Sequence, residues 1–447
     1  MSGSYLTYWV SRGRLLAETE ATPDAAPDPD LDLDDTALTL DDPGIREALA
    51  RCRFLEIDRA SPTQKARAGC VAPGTIDAVD FAAADIHRDP DIRFDVRVDT
   101  LNLSPTQVRL EAERLGREYL AQTKRDVLGG TLDPNEFKAF ESDATRALRA
   151  RAVAATALVP VEWDQAAHVV RVLGTNARAV EVAHQVLGNF GLALVPAWLT
   201  TAPLAGLSLD ARDGARDQVH DAIREATEAD FAGVLEEPRG LHTAALRREL
   251  LTWLVWRGES GEPLNAEGWD VDGVGAVIGH AVKELTLCRT GSVDGSVAES
   301  LTVAAHRPAQ TADVARALRR GLLVDEIRLH LSVGAREYTL TWDGTAKRAG
   351  VKLPTELKPE DGDAYEEDCR MLREELDAAF VSIERYFAAV RFDAARWGVQ
   401  AAEVSTWIRE EVRRHQEEEI AAEQGRLMRQ LDRMGGRVVS EGVETVQ

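Results

Sequence analysis

The chain has 447 residues, 44% hydrophobic and 29% charged, a balance that suits a soluble globular protein. It excludes wholesale disorder, collagen and a disulfide scaffold. Lys and Arg number 53 against 76 Asp and Glu, a formal net charge of −23, which argues against nucleic acid only weakly because net charge does not say where charges sit.

The length exceeds one ordinary core and predicts two to four domains. Tyr5-Leu6-Thr7-Tyr8-Trp9-Val10 is rich in β-formers and reads as a first strand. Residues 18–42 are crowded with Asp and Pro and read as an acidic insertion that resists packing. Residues 1–50 as a whole hold eleven acids against three bases. Ile45–Cys52 fits a short helix, and Phe54–Ile57 looks strand-like. Ile92, Phe94, Val96 and Val98 alternate with charged residues, predicting a strand with one face in water. Ser104-Pro105 then starts a helix running to about Thr123, with Val108, Leu115 and Leu120 on its face. A second helix is expected over roughly 134–155.

Residues 157–163 and 168–173 predict a hairpin turning at Asp164–Ala167. Asn176 caps a helix to Leu187, ended by Gly188 or Gly191, and Leu192–Pro196 is one more short strand. From Leu246 the chain reads as a compact apolar helix whose tryptophans pack in a core. Thr311–Arg320 is a short helix, and Ile327–Val333 with Tyr338–Trp342 a second hairpin. Cys369–Val390 is amphipathic through Met371, Leu372, Leu376, Phe380 and Ile383. Ala394–Met434 is a long charged helix with opposite charges three and four apart. The fold class is therefore α+β, small antiparallel sheets with packed helices, plus a helical C-terminal extension. The domains are expected at 1–200, 201–350 and 351–447.

Catalytic and metal motifs are absent. The four cysteines form no C-x-x-C pair and read as reduced thiols of a cytoplasmic protein. The nine histidines include no H-E-x-x-H; His184 and His280 are placed on helix faces, His168 and His330 in strands. No G-x-S-x-G or Walker A sequence occurs. Gly273 to Gly279 approaches a dinucleotide-binding fingerprint, but Glu267–Asp272 before it is a poor buried strand, so a loop entering a packed segment is expected. No apolar run approaches the roughly 20 residues of a membrane span. The N-terminal residues lack the pattern of a secretory signal.

Several blocks, taken in order, resemble the RdgC family of bacterial recombination-associated proteins. They are Gln64–Pro73 (with Cys70 where the family carries an aromatic), the alternating strand with Leu103–Val108, Gly174–Glu181 after the first hairpin, Leu250–Arg257, and the final hairpin with the helix ending near Val390. The resemblance spans about residues 5–390, so 391–447 extends beyond it. It implies a non-enzymatic protein without cofactor or metal. Such a protein binds duplex DNA regardless of sequence, as a ring-shaped homodimer that restrains RecA-driven strand exchange on the nucleoid, with no membrane partner. Affinity in such a protein comes from Lys and Arg contacts to phosphate.

No family motif carries the DNA contacts, so the candidates come from local basic clusters: Arg146 with Arg149 and Arg151, Lys124 with Arg125, Lys65 with Arg67, and Arg247 with Arg248. The first is favoured, because no acid lies between Asp143 and Glu162. The competing reading is an acidic scaffold or protein-interaction protein on the same fold without DNA binding.

Overall fold

The computed structural model describes residues 2–12, 42–61, 63–82, 86–88, 91–123, 131–197, 239–265, 274–290 and 297–440. The acidic stretch at 18–42 lies outside them apart from Asp42. The chain divides into two compact units, one built on Tyr5–Pro196 and the other on the described residues from Arg239 onward. Both are α+β with antiparallel strands.

In the first unit the elements run β1 (Ser2–Arg12), α1 (Asp42–Arg51), β2 (Ala66–Val71), β3 (His87–Arg88), β4 (Asp91–Thr100), α2 (Pro105–Gln122), α3 (Pro134–Arg151), β5 (Ala155–Asp164), β6 (Val169–Val172), α4 (Ala177–Gly188) and β7 (Leu192–Pro196). The strands pair in the order β2-β4-β5-β6-β1, with β3 on β4 and β7 on β1. The expected hairpin forms: β5 and β6 pair from Val161 opposite Val172 to Asp164 opposite Val169. Its turn is fixed by Asp164 Oδ1, which accepts from Ala167 N at 2.8 Å. The positive φ of His168 places that residue in the turn and not in the strand.

Phe94, Val96, Val161, Val170 and Val172 form one apolar face, covered by Ile45 and Leu49 of α1 and by Val182, Ala183 and Val186 of α4. Asn176 caps α4 by accepting from Arg178 N, as its sequence position predicts.

Two local expectations fail here, and for one reason. The second face of β4 is not wet: Asp95 and Asp99 are buried. Phe54 and the turn at 74–76 lie over it. Gly74 N donates to Asp95 at 2.8 Å, and Arg97 sits 4.2 Å over the Phe54 ring. The same guanidinium donates to Ile76 O and clamps Asp99 at 2.9 and 2.7 Å. Alternating charge on β4 thus marks internal ion pairing, which period-2 patterning cannot distinguish from solvation. Phe54–Ile57, in turn, does not form a strand. Phe54 and Ile57 are buried three residues apart with Leu55 and Glu56 exposed, and the only bridge among the described residues nearby joins Arg53 to Cys70. Gly69 permits this approach, since a Cβ there would lie 2.4 Å from Phe54 Cα.

The second unit contains α5 (Arg239–Glu259), β8 (Val277–Thr290), β9 (Val297–Ala305), α6 (Ala312–Arg319), β10 (Leu323–Val333), β11 (Arg336–Trp342), β12 (Lys347–Lys352), α7 (Asp363–Arg391) and α8 (Ala394–Ser440). Its strand order is β12-β11-β10-β8-β9. The predicted hairpin is the centre: β10 and β11 pair from Ile327 opposite Trp342 to Val333 opposite Arg336. The segments expected as separate regions on either side of residue 350 pack into one core, with Trp342 of β11 4.5 Å from Phe380 of α7.

Trp253 of α5 is buried against Tyr386 and Phe387, so the tryptophans of this helix are core residues. On α7 the buried stripe runs through Leu372, Leu376, Phe380, Ile383 and Phe387. Met371, expected on that stripe, is exposed because it lies one residue, about 100° of helix, off the seam.

The glycine cluster resolves as backbone packing. Gly275 adopts φ +69 and the chain then enters strand β8, whereas a dinucleotide fingerprint needs a helix there. His280 therefore lies on a strand, not on a helix face. Gly258 of α5 packs on Gly279 of β8: a Cβ on Gly258 would lie 2.4 Å from Gly279 O. Gly→Ala in a helix ordinarily stabilises by about 1 kcal/mol. Here the added methyl meets the backbone of β8, and Gly258→Ala should instead destabilise by about 2 kcal/mol. Urea unfolding read by tryptophan fluorescence checks the sign.

Candidate nucleic-acid interface

The favoured arginine cluster rides on α3. Asp133 accepts from Asn135 N at 2.7 Å and Glu136 N at 2.9 Å, while Glu136 accepts from Asp133 N at 3.0 Å. This capping box and Pro134 fix where the helix starts, and hence which way each later residue points. Glu141, Ser142, Thr145, Arg146 and Arg149 then fall on one face, at spacings of three, four and one.

That face borders a cavity of about 750 Å³. Arg59, Lys65, Leu101 and Asn102 close its other side, with Pro105 and Val108 of α2. Lys65 immediately precedes β2, and its carbonyl accepts from Leu101 N at 2.8 Å, so its backbone is pinned while its side chain is exposed. On the far side of Lys65 lies a second depression of about 500 Å³, lined by Thr100, Asn176, Arg178 and Glu181 among others. Lys65 belongs to both. Five cations (Arg59, Lys65, Arg146, Arg149 and Arg178) thus line the two depressions against two acids, Glu141 and Glu181.

The cations differ in role. Arg149 is buried, and its Nη2 donates to Gln64 O at 2.6 Å and Asp58 O at 3.4 Å. Arg59 reaches the other way and donates to Ala150 O at 3.1 Å, a cation on the last turn of α3, where the helix dipole favours it. These two bonds lace the 58–64 loop to α3 and shape the cavity wall. Arg146 is 72% exposed in its side chain and pairs with the also exposed Asp143 at 3.2 Å, a contact too weak to commit it. Among the described residues Lys65 and Arg178 have no ion-pair partner, and both are exposed.

Of the residues singled out in the sequence, Lys65, Arg146 and Arg149 come together. Arg67 sits two residues along on β2, opposite Asp99. Arg151 turns to Glu111 at 3.0 Å. Hydrogen bonds from Arg114 and then Arg151 pull the Glu111 carboxyl down to about 2, against its partial desolvation. Lys124 and Arg125 lie outside the described residues. Arg247 and Arg248 lie in the other unit, on α5, where both pair with Asp325 at 3.3 and 2.7 Å.

Arg59 and Arg178 were missed. Each is a lone arginine between neighbours of no distinctive type, and only the pairing of β2 with β4 and the capping of α4 bring them to Lys65. All four cysteines are free, three of them buried. No helix among the described residues is long and apolar enough to cross a membrane. No protein-family model matches the chain, and a search of curated proteins found no match either.

Proposed function

We propose that the chain binds duplex DNA through its sugar–phosphate backbone, without reading base sequence, and that the basic track around Lys65 is the surface that does so. The observation that carries this reading is convergence. In a chain of net charge −23, five cations from three separate segments line two adjoining depressions that share Lys65. Neither lining contains an aromatic residue. Single-strand binders stack bases on aromatic side chains, so a cation-lined track without them suits paired strands whose bases are hidden.

The finer reading follows the resemblance to RdgC. In it the protein is a non-enzymatic, nucleoid-associated homodimer that encloses DNA and restrains RecA-driven exchange, with no cofactor. The ordered sequence blocks support it. An acidic exterior is compatible with such a role, since it discourages contact anywhere but the basic track.

The test is fluorescence anisotropy of a labelled duplex of about 30 base pairs, titrated from about 25 to 300 mM salt. Affinity should fall steeply with salt and be equal for unrelated sequences. Lys65→Glu with Arg146→Glu should weaken binding at least about tenfold and flatten the salt slope by about 2. No binding at the lowest salt overturns the DNA reading. Binding that survives the double variant unchanged moves the interface elsewhere. The scaffold alternative draws its support from the exposed apolar side chains on α8, and it predicts no binding at any salt.

A further inference from the structure

Two of the nine histidines, distant in the sequence, meet on the second unit. His280 of β8 and His330 of β10 are direct partners in the antiparallel register, and their ring centres lie 5.3 Å apart, tilted by 58°. The backbone that carries them is held firmly. Ala281, Leu329 and Leu331, which alternate with them along the strands, are buried. The end of α5 presses on residues 279–280: a Cβ on Gly258 would lie 2.4 Å from Gly279 O and 3.2 Å from His280 Cα. The two imidazoles stand on the other face of these strands, each half-buried.

A third group flanks the pair. β11 runs beside β10 and sets Thr339 opposite His330. His330 Nδ1 lies 3.5 Å from Thr339 Oγ1, and His330 Nε2 lies 3.8 Å from Glu337 Oε2. The first contact favours the tautomer with the hydrogen on Nδ1, which leaves a lone pair on Nε2. The second is too long for a hydrogen bond. It is close to the roughly 3.3 Å that separates a nitrogen and an oxygen bound to one tetrahedral ion at about 2.0–2.1 Å each. Imidazole ligates only in its neutral form. His280 favours that form: burial lowers its pKa, and the charges of His330, Arg307 and His306 lower it further against the opposing pull of Glu259.

We propose that His280, His330 and the Glu337 carboxylate bind one divalent transition-metal ion, zinc foremost, which staples β8, β10 and β11 together. Two imidazoles and a carboxylate form a zinc donor set, whereas calcium and magnesium call for oxygen ligands throughout. The Glu337 side chain is 71% exposed and has room to swing onto the ion, while the histidines are set by their strands. No local spacing announces such a site, because strand pairing alone brings its residues together. The resemblance to RdgC implies no metal. The site shares no residue with the track around Lys65, so it stands or falls apart from the DNA reading.

The test is calorimetric titration of the full chain, stripped with a chelator, with Zn²⁺ alone near neutral pH. One ion should bind per chain, with half-saturation at or below about 10 μM. His280→Gln and His330→Gln should each weaken that binding at least about tenfold. Glu337→Gln should weaken it too, with far-ultraviolet circular dichroism showing each variant folded. In the wild type, bound Zn²⁺ should slow modification of His280 and His330 by diethyl pyrocarbonate, mapped by mass spectrometry, and leave His184 of the first unit unchanged. No binding by about 100 μM overturns the proposal. So does affinity unchanged in either histidine variant, which would put the ion on other surface groups. Unchanged affinity in Glu337→Gln overturns the carboxylate as third ligand. The protection experiment needs no variant, so it decides even if a substitution disturbs folding: equal modification rates with and without Zn²⁺ overturn the site.

Discussion

Asp325→Ala should cost about 2–3 kcal/mol of folding stability, because it strands two arginines at once. Asp325 accepts from Arg248 Nε at 2.7 Å and from Arg247 Nη2 at 3.3 Å. The Arg248 side chain is only 10% exposed, so water cannot replace the lost carboxylate there. The acid itself is more exposed, which keeps the cost at the low end for a broken internal pair. Burial alone would raise the Asp325 pKa, but the hydrogen bond and charge of Arg248, with the charge of Arg247, outweigh it and hold the carboxyl below its usual 3.8. A depressed acid stabilises fully above its unfolded value and loses that contribution as pH falls through its folded one. The deficit of the variant should therefore be complete at pH 7 and shrink below about pH 4. Urea unfolding at the two pH values reads this directly. Lys65→Ala, at an exposed unpaired position, should change stability by less than about 0.5 kcal/mol. A comparable deficit at both sites would remove the distinction between arginines that build a core and a lysine that faces solvent.

That distinction marks how far the sequence could be read. Elements with a strong local signal form where expected: the β10–β11 hairpin by alternation and α4 by the Asn176 cap. What local pattern cannot supply is the identity of the neighbour. The charged residues of β4 alternate as though solvated, yet Phe54 and the turn at 74–76 cover them. The basic clusters show the same limit. Arg146 and Arg149 are adjacent on their helix face, yet one is solvated and the other is tied to the carbonyls of a loop 85 and 91 residues away in sequence. Arg59 and Arg178 have no sequence signal, because their place beside Lys65 is made by strand pairing. Sequence clustering thus named two residues, Lys65 and Arg146, that the fold brings to one depression. It could not tell a cation left in solvent from one that builds the fold.

The acidity with which the sequence opens is partitioned in the same way. On the second unit acids pair with arginines, as Glu249 does with the buried Arg391 at 2.7 Å and Glu375 with the more exposed Arg336 at 3.0 Å. The two depressions beside Lys65 keep two acids for five cations. A strongly negative total and a locally positive track are therefore compatible, and the electrostatic case for nucleic acid rests on the local count.

Glu384→Gln should stabilise the protein at neutral and alkaline pH, and the gain should vanish in acid. Glu384 lies on α7, fully buried, and one of its carboxylate oxygens has no hydrogen-bond partner. Burial pushes its pKa up to about 8; Arg348 pulls it down without offsetting the loss of water, and Asp377 pushes it further up. The sign follows from linkage. In the unfolded chain the carboxyl ionises near 4.5, whereas in the fold it keeps its proton to about 8. Across that window the unfolded state binds fewer protons, so the native state loses stability as pH rises. At one pKa unit per 1.36 kcal/mol, the cumulative loss is on the order of 3–5 kcal/mol by pH 8. Glutamine keeps the shape and the hydrogen-bonding end without the titration. The difference in unfolding free energy between variant and wild type should be near zero at pH 4.5, grow steadily through pH 6 and 7, and level off above about 8. A constant difference across that range would mean that the native carboxyl is ionised, held by Arg348 strongly enough to outweigh burial. In that case the substitution would break an internal ion pair and destabilise at every pH above 4.5.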